Sequence, residues 1–327
     1  MKKIVMTQKV DDAGLKLAKD TKFVDANNPD PNNYLEEMQD ADGLIVRIAK
    51  CDKNVILNSP NLKVIGRTGV GYDSVDVKTA TELGIPVVIT PGANSLSVAE
   101  HTLAFILSLS KNLVHQDKEC RKGNWEVRSS GDYFEVNGKT IGIIGLGAIG
   151  KYLSKMCQSL GMKVIRYDPF ISDKLIEYGD NCTNYKDLLK KSDFVSIHVP
   201  LTEDTKNMIS LNDLKLMKKN SFIINASRGG LINEDDLIYA LDNDIIKGAA
   251  LDVFAEEPLD TNSKLVKNEK VILTPHSAAQ TKEAVERMAK MCIRGCIAIL
   301  NGKKWPYVAD KNVYNHEKWN EKKWAEI

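Results

Sequence analysis

The first ninety or so residues alternate short apolar runs with amphipathic segments. Segments such as "VDVKTATELG" space their apolar residues at the helical period and end on glycine, as helices do. Between them, four apolar runs predict buried strands: "KKIVMT", "DGLIVR", "LKVIGRT" and "IPVVIT". Strands and helices that alternate at this spacing form parallel sheets joined by right-handed crossovers.

A second series of the same kind follows after an interruption. The pattern predicts one long helix over "SVAEHTLAFILSLSKNLVHQ", capped by Ser95 or Ser97 and carrying an apolar stripe. A polar stretch covers residues 121–140, and six further runs then predict strands: "TIGIIG", "KVIRYD", "FVSIHVP", "SFIINAS", "AALDVF" and "VILTPH". The predicted fold class is therefore α/β, with two doubly wound parallel-sheet units.

The final amphipathic helix, roughly residues 281–300, lies beyond the second series and has no further strand to reach. We expect it to return to the first unit. The prediction is a discontinuous domain over residues 1–97 and 286–327, and a second domain over residues 98–285. The tail after residue 300 contains three of the four tryptophans. These indoles are expected to dock either on the chain itself or on a partner subunit.

Composition narrows the class of partner. Apolar residues make up 43% of the chain and charged residues 27%, and the net charge is only +1, which disfavours nucleic acid and membrane surfaces. No apolar stretch reaches the length of a membrane span or a signal-peptide core, so a cytoplasmic protein is expected. Among the six cysteines, only Cys292 and Cys296 are close together. Two thiolates supply half a zinc shell, so we predict no metal and a small-molecule ligand.

A glycine-rich turn stands between a predicted strand and a predicted helix. In "IGIIGLGAIGKYLSKM" the pattern G-x-G-x-x-G falls on Gly145, Gly147 and Gly150, with Ala148 and Ile149 inside it. Such a turn brings backbone N–H groups and a helix N-terminus up to a pyrophosphate. The alternative is a structural turn without a ligand, but the strand, the turn and the helix stand in the order that dinucleotide binding requires.

Asp168 adds to this interpretation. It closes the next predicted strand, "KVIRYD", about 20 residues beyond the turn, where dinucleotide-binding folds place an acid that accepts hydrogen bonds from the ribose hydroxyls. A carboxylate there would repel the 2′-phosphate of NADP, and "PFISDK" after it contains no arginine. The sequence therefore predicts NAD as the cofactor.

Three candidates for the chemistry follow apolar runs of the second series: Arg228, Glu257 and His276. In a parallel sheet all three emerge at the edge that carries the glycine turn. Histidine exchanges protons in both directions near neutral pH, and a carboxylate on its second nitrogen fixes its tautomer. An arginine fork binds a carboxylate bidentately. Each residue alone also fits a structural role, as a buried histidine, a loop acid or a solvated turn, but their joint placement favours catalysis.

In these motifs and several others, the chain resembles the NAD-dependent D-2-hydroxyacid dehydrogenases, which include phosphoglycerate dehydrogenase and glyoxylate or hydroxypyruvate reductases. The resemblance covers roughly residues 40–302 and rests on these motifs: "GRTGVGYDSVD", "PGANSLSVAEHTLAFIL", "NGKTIGIIGLGAIG", "SIHVPLTEDTKNMI", "INASRGGLINEDDL", "GAALDVFAEEPL" and "VILTPHSA". It implies a Rossmann NAD-binding domain inserted into a flavodoxin-like substrate domain, with a cleft between them and a homodimeric assembly.

The resemblance also implies roles for individual residues. Arg228 would bind the substrate carboxylate and carbonyl, His276 would exchange the proton, and Glu257 would orient His276. Further residues would contact the cofactor: His198, Pro200 and Thr205 on the adenosine side, and Ala226, Ser227 and Asp252 near the nicotinamide. Val70, Gly71 and Asn94 would hold the substrate, and Arg47 occupies the place of a phosphate-contacting arginine in a segment that is one residue shorter than in phosphoglycerate dehydrogenases.

Two other functions fit parts of the sequence. One is a short phosphoglycerate dehydrogenase, whose substrate would need a cationic pocket. The other, from a different class, is an NAD-sensing binding protein similar to transcriptional corepressors that use this fold. Those proteins normally carry extended disordered segments, and the sequence shows none. The enzyme that interconverts a small 2-oxo acid and its D-2-hydroxy acid is therefore the favoured hypothesis.

Overall fold

The computed structural model describes residues 1–171 and 175–326. Two expectations extend outside these residues: the domain limit at residue 327, and the part of the segment after Asp168 that covers residues 172–174. The chain divides into two compact units. Unit 1 comprises Met1–Asn94 and Gln280–Ile327, and unit 2 comprises Ser95–Ala279.

The strands, in chain order, are β1 (Lys2–Met6), β2 (Thr21–Asp25), β3 (Gly43–Val46), β4 (Val64–Arg67), β5 (Val87–Val88), β6 (Thr140–Ile144), β7 (Lys163–Tyr167), β8 (Asp180–Asn181), β9 (Phe194–Ile197), β10 (Phe222–Asn225), β11 (Gly248–Leu251) and β12 (Val271–Leu273). The helices are α1 (Asp12–Leu15), α2 (Lys53–Leu57), α3 (Val77–Glu82), α4 (Ser95–Lys111), α5 (Leu113–Arg121), α6 (Ala148–Ser159), α7 (Tyr185–Lys191), α8 (Leu211–Leu214), α9 (Glu234–Asp242), α10 (Lys264–Lys267) and α11 (Lys282–Leu300).

The described strands of unit 1 form one parallel sheet in the order β2-β1-β3-β4-β5. This is the strand order of flavodoxin-like folds. Apolar side chains of α11 cover one face of the sheet, where Cys292, Ile293 and Cys296 pack with Ile4 and Val64. A second cluster covers the opposite face and includes residues of α2 and α3.

Unit 2 contains a parallel sheet whose order, within the described residues, is β12-β11-β10-β9-β6-β7-β8. The chain runs outward from β6 to β8, then crosses back and continues from β9 to β12, as in Rossmann folds. Core clusters lie on both faces, with α7 and α9 contributing to one and α4 and α6 to the other. The predicted fold class is confirmed.

Helix α4 ends earlier than the sequence pattern predicts. The expected long helix is broken at Asn112, which adopts a left-handed conformation with φ 51° and separates α4 from α5. Asparagine tolerates this conformation better than most residues. Ser95 is the first helical residue, and the Ser97 hydroxyl donates to the Ala278 carbonyl oxygen instead of capping the helix.

The tryptophan-rich tail packs on unit 1 itself. Trp305 and Trp319 are buried, and the Trp319 indole N–H donates to the Gly84 carbonyl oxygen at 2.9 Å. The tail also pairs with β5 through an antiparallel bridge between Val88 and Val308. Since β5 is the edge strand of the sheet, the tail covers backbone groups that would otherwise be unpaired.

Candidate active site

The glycine turn lies at the point where the strand order of the unit 2 sheet reverses. It follows β6, which pairs with β7 on one side and with β9 on the other. The connection from β6 goes to β7 on one side and the connection from β9 goes to β10 on the other, so a crevice opens between β6 and β9 at their carboxyl ends. Ligands of doubly wound folds bind at this place.

The three glycines meet three different geometric requirements. Gly145 has φ 96°, and a Cβ there would lie 2.5 Å from the His198 carbonyl oxygen. A Cβ on Gly150 would lie 2.3 Å from the Gly145 carbonyl oxygen, so this glycine lets α6 pack closely against the turn. A Cβ on Gly147 would meet no described atom within 4 Å. The side of the turn at Gly147 is therefore open to a ligand.

The N-terminus of α6 begins at this open side. Gly147 is the capping residue and offers no side-chain hydrogen bond, Ala148 is exposed, and Ile149 is half-buried. Unpaired N–H groups at a helix N-terminus bind phosphate oxygens. The geometry thus fits the pyrophosphate of a dinucleotide.

Asp168 is held against the same turn. One oxygen of its carboxylate accepts a hydrogen bond from the Leu146 N–H at 2.8 Å, and the other accepts from the Phe170 N–H at 2.9 Å. A carboxylate has about four acceptor positions, so further hydrogen bonds from ribose hydroxyls remain open to it. The nearby Arg166 is fully buried, and its guanidinium donates to Gly179 and Asn181.

The residues predicted on the adenosine side occupy the segment after β9. His198 Nε2 lies 2.8 Å from the Ser196 hydroxyl oxygen, and burial of the ring lowers the pKa of His198 to about 4. The Thr205 hydroxyl donates to the Pro200 carbonyl oxygen at 2.7 Å and closes the loop. The Ser227 hydroxyl donates to the Val199 carbonyl oxygen at 2.8 Å, which ties this segment to the end of β10.

Glu257 and His276 are in direct contact. Glu257 Oε2 lies 2.7 Å from His276 Nδ1, and Glu257 Oε1 accepts a hydrogen bond from the Phe254 N–H at 3.0 Å. When the Nδ1–H donates to the carboxylate, Nε2 is left to exchange a proton with another group. The His276 side chain is 43% exposed, so a small molecule can reach it.

The electrostatics of Glu257 combine opposing effects. Burial favours the neutral acid, but the hydrogen bonds from His276 and the Phe254 N–H, with the positive charges of His276 and Arg228, outweigh it. The pKa of Glu257 is therefore below its usual value. The carboxylate stays ionised and can stabilise a proton on the imidazole.

Arg228 belongs to a loop shaped by its neighbours. The Asn225 side-chain amide donates to the Arg228 carbonyl oxygen at 2.7 Å, and its oxygen accepts from the Ser227 N–H at 3.0 Å. A Cβ on Gly229 would lie 1.7 Å from the Phe254 carbonyl oxygen. Only glycine therefore permits the close approach of the loop to the segment that leads to Glu257.

Residues 274–279 form the segment that we call the His276 loop. Asp252, which follows β11, is 1% exposed, and its two carboxylate oxygens accept from the Ser277 and Ala278 N–H groups at 2.8 and 2.9 Å. Ala278 also packs with Ala226, Val98 and Ile149 in one small apolar cluster of unit 2. The role of Asp252 and Ala226 at the nicotinamide stays a prediction, while their contacts with the loop are direct.

The residues predicted to bind the substrate from unit 1 lie after its strands. Arg47 follows β3 and donates to the Gln280 side-chain oxygen. Val70 is exposed and Gly71 half-buried in the loop after β4. Asn94 has a buried side-chain oxygen without a hydrogen-bond partner among the residues described.

Two residues that shape these segments escaped the sequence-based reasoning. Gln280 contacts Arg47 across 233 positions of the chain, and no spacing rule connects them. Glu234 accepts a hydrogen bond from the Ala255 N–H at 2.7 Å and thereby fixes the segment before Glu257. The acidic run at the start of α9 was visible in the sequence, but its partner was not.

In the part of the chain that the structure describes, no three residues among His, Cys, Asp and Glu are grouped as metal ligands would be. Likewise, no described helix has the length and apolar character needed to cross a bilayer.

A family model and individual relatives match this chain and point to the same family. The model of the D-isomer specific 2-hydroxyacid dehydrogenase family, NAD binding domain, matches residues 103–278. The chain is 37% identical over 325 residues to glyoxylate reductase of Thermococcus litoralis, with 95% of this chain and 97% of that protein covered. It is 40% identical over 309 residues to D-3-phosphoglycerate dehydrogenase of Methanocaldococcus jannaschii, covering 91% of this chain but 59% of that protein.

Among solved structures, the D-lactate dehydrogenase of Aquifex aeolicus, complexed with NAD and lactic acid, is similar with a TM-score of 0.83 and 29% identity. The similarity covers 92% of this chain and 96% of that one.

Proposed function

The chain belongs to the NAD-dependent D-2-hydroxyacid dehydrogenases, and from that premise we propose that it reduces a small 2-oxo acid, with Arg228, Glu257 and His276 as its catalytic residues. The family reaction interconverts a 2-oxo acid and its D-2-hydroxy acid. The observation that carries the residue assignment is the contact between His276 Nδ1 and Glu257 Oε2 at 2.7 Å, next to Arg228.

NAD fits the site described above, since the open side of Gly147 and the carboxylate of Asp168 suit its pyrophosphate and its ribose. When bound, NADH supplies a hydride to the carbonyl carbon. His276 donates a proton from Nε2 to the carbonyl oxygen in reduction and removes it in oxidation. Glu257 holds the ring in the required tautomer and stabilises the charged imidazole. Arg228 pairs with the substrate carboxylate.

We propose that unit 2 binds NAD. We propose further that unit 1 contacts the part of the substrate beyond the groups bound by Arg228 and His276. Its binding residues would be Arg47, Val70, Gly71 and Asn94. The buried side-chain oxygen of Asn94, which has no partner among the described residues, and the exposure of Val70 support this assignment. The similarity to the glyoxylate reductase of Thermococcus litoralis, 37% identical along 95% of this chain, supports a small 2-oxo acid as the substrate, with 3-phosphohydroxypyruvate as the alternative.

A homodimer in the cytoplasm is part of the proposal. Leu113, Val114 and Trp125 expose half or more of their surface close together in sequence, after α4. Exposed apolar side chains of this kind are typical of subunit contacts. The six cysteines are unpaired, which suits a reducing compartment. Light scattering of the purified chain measures its mass in solution, and a monomeric mass would contradict the proposed dimer.

The decisive experiment is a substrate panel. Glyoxylate, pyruvate, hydroxypyruvate and 3-phosphohydroxypyruvate are each added with NADH, and kcat/KM is measured from NADH absorbance. We expect the highest value for one of the three small acids. A preference for the phosphorylated acid would replace our substrate assignment, and no turnover of any 2-oxo acid would overturn the proposed function in favour of an NAD-sensing binding protein.

A further inference from the structure

Helix α4 is fastened to the His276 loop by two side chains that stand one helical turn apart. The Ser97 hydroxyl donates to the Ala278 carbonyl oxygen at 2.5 Å. His101 Nε2 lies 3.0 Å from the Thr274 hydroxyl oxygen. These contacts flank His276 on both sides, at positions 274 and 278.

The direction of the hydrogen bonds follows from what each group can donate. The Thr274 hydroxyl donates to Asp252 Oδ1 at 2.5 Å, and both Asp252 oxygens also accept from backbone N–H groups. Since the hydroxyl proton is directed at Asp252, the Thr274 oxygen can only accept from His101. His101 therefore carries a proton on Nε2. The result is a chain of two hydrogen bonds, in which His101 donates to Thr274 and Thr274 donates to Asp252.

The ring of His101 is itself held in place. It packs edge-on against Phe105, one turn further along α4, with the ring centroids 4.5 Å apart. The His101 side chain is 24% exposed. Its N–H is thus directed at Thr274 by packing as well as by hydrogen bonding.

The loop needs such support because of the backbone at His276. The backbone of this residue has φ 51°, in the left-handed region that residues other than glycine rarely adopt. A strained residue keeps its conformation only where its surroundings over-determine it. Asp252, Thr274 and the two α4 side chains provide that support at the residues on either side of His276.

We propose that His101 is a positioning residue for proton transfer by His276, acting through Thr274 and Asp252. The inference rests on the proposed function in one respect, that His276 carries the proton. It adds a residue on α4 that touches neither cofactor nor substrate. Without the His101 N–H, Thr274 loses a partner and the His276 imidazole is held less tightly in its productive orientation.

The test compares His101→Phe, which keeps a ring against Phe105, with His101→Gln, whose side-chain amide can supply an N–H near the position of Nε2. We expect His101→Phe to lower kcat by roughly 10- to 100-fold, as misplacements of about 1 Å do, and to change the KM for the 2-oxo acid much less. The Gln variant should recover most of the loss. His115→Phe on α5 is the matched control and should behave like the wild type, because His115 forms no hydrogen bond with the His276 loop in the described structure.

A double-mutant cycle shows whether Thr274 mediates the effect. Thr274→Val should produce a similar loss, and the double variant with His101→Phe should be no worse than Thr274→Val alone. Losses that add, or a His101→Phe enzyme with kcat within two-fold of the wild type, would overturn the inference.

Hydrogen exchange provides a readout that needs no turnover. The amides of Ser277 and Ala278 should exchange faster in His101→Phe than in the wild type or in His115→Phe. Unchanged exchange would show that His101 does not hold the loop. If the wild type reduces no 2-oxo acid while the exchange still differs, the proposed function fails and the structural link from His101 to the loop remains.

Discussion

The glycine turn and the His276 loop both follow strands of the same seven-stranded sheet, yet they are built by opposite means. In the turn, missing side chains matter most: Gly145 and Gly150 permit close backbone contacts, and Gly147 leaves room for a ligand. In the His276 loop, side chains determine the geometry, since Asp252 and Glu257 hold its backbone and its imidazole.

Because the two segments are built differently, substitutions should affect them in different ways. A turn that depends on empty space fails when atoms are added to it, and the failure should appear in cofactor binding. A loop that depends on side-chain contacts fails when atoms are removed, and the failure should appear in the chemical step. Four substitutions test these expectations.

The largest effect is expected for His276→Gln. Removing a positioned acid and base typically costs 10²- to 10⁴-fold, so kcat should fall by about that factor. The dissociation constant of NADH should change little, because the glycine turn is untouched. Steady-state kinetics and a fluorescence titration measure the two quantities. A kcat within ten-fold of the wild type would show that another group transfers the proton.

The opposite pattern is expected for Gly147→Val. Gly147 has φ −68°, which any residue adopts, and no described atom obstructs a Cβ, so the fold should be unaffected. The added side chain enters the space proposed for the pyrophosphate and should weaken NADH binding by roughly ten-fold or more, about 1.4 kcal/mol. Gly150→Ala is the contrasting control and should lower the melting temperature. Unchanged NADH affinity in Gly147→Val would place the cofactor elsewhere.

Glu257→Gln should alter the pH dependence more than the maximal rate. The pKa of Glu257 is lowered, so in the wild type the ion pair with His276 persists as the pH falls and is lost only below the usual range of a glutamate. Glutamine provides no negative charge, which disfavours the protonated imidazole. The pH at which the reduction rate is half-maximal should therefore move to a lower value. A profile of kcat from pH 5 to 9 that coincides with the wild type would exclude Glu257 from this role.

The smallest effect concerns the contribution of His198 to the stability of the fold at low pH. Its folded-state pKa of about 4 lies below the usual value of about 6.5, so the unfolded chain binds the proton more readily between these limits. His198 therefore reduces stability as the pH falls from 6.5 towards 4. His198→Gln should remove this loss, on the order of 1–3 kcal/mol in the free energy of unfolding near pH 4. Denaturant titrations at pH 7 and pH 4.5 test it, with His115→Gln as control, and equal losses in both variants would contradict it.

Much of the fold could be predicted because buried parallel strands leave a continuous apolar run. The runs that became β3, β6 and β9 are examples, since all four or five residues are apolar or small. Two of the described strands, β2 and β8, were not predicted from the sequence. β2 has only two apolar residues, Phe23 and Val24, and none of it is fully buried, while β8 consists of the two polar residues Asp180 and Asn181. Edge strands carry a weaker hydrophobic signal.

The residues of the candidate site could be predicted where their spacing along the sequence, or their position after a strand, was enough to locate them. Spacing alone indicated the glycine turn and Asp168, and the shared sheet edge indicated that Glu257 and His276 lie near each other. The contacts that support these residues were not predictable. His101 reaches Thr274 across 173 positions, and Arg47 reaches Gln280 across 233. Such pairs depend on the folded arrangement and leave no periodic signal in a single sequence.

A crystal structure of the protein with NADH and oxamate, an unreactive isostere of a 2-oxo acid, would show directly whether Arg228, Glu257 and His276 form the catalytic site. We expect His276 Nε2 to lie about 3 Å from the oxamate carbonyl oxygen and Arg228 to pair with the oxamate carboxylate, while Glu257 remains hydrogen-bonded to His276 Nδ1. Oxamate bound away from these three side chains, with the nicotinamide directed elsewhere, would contradict this expectation.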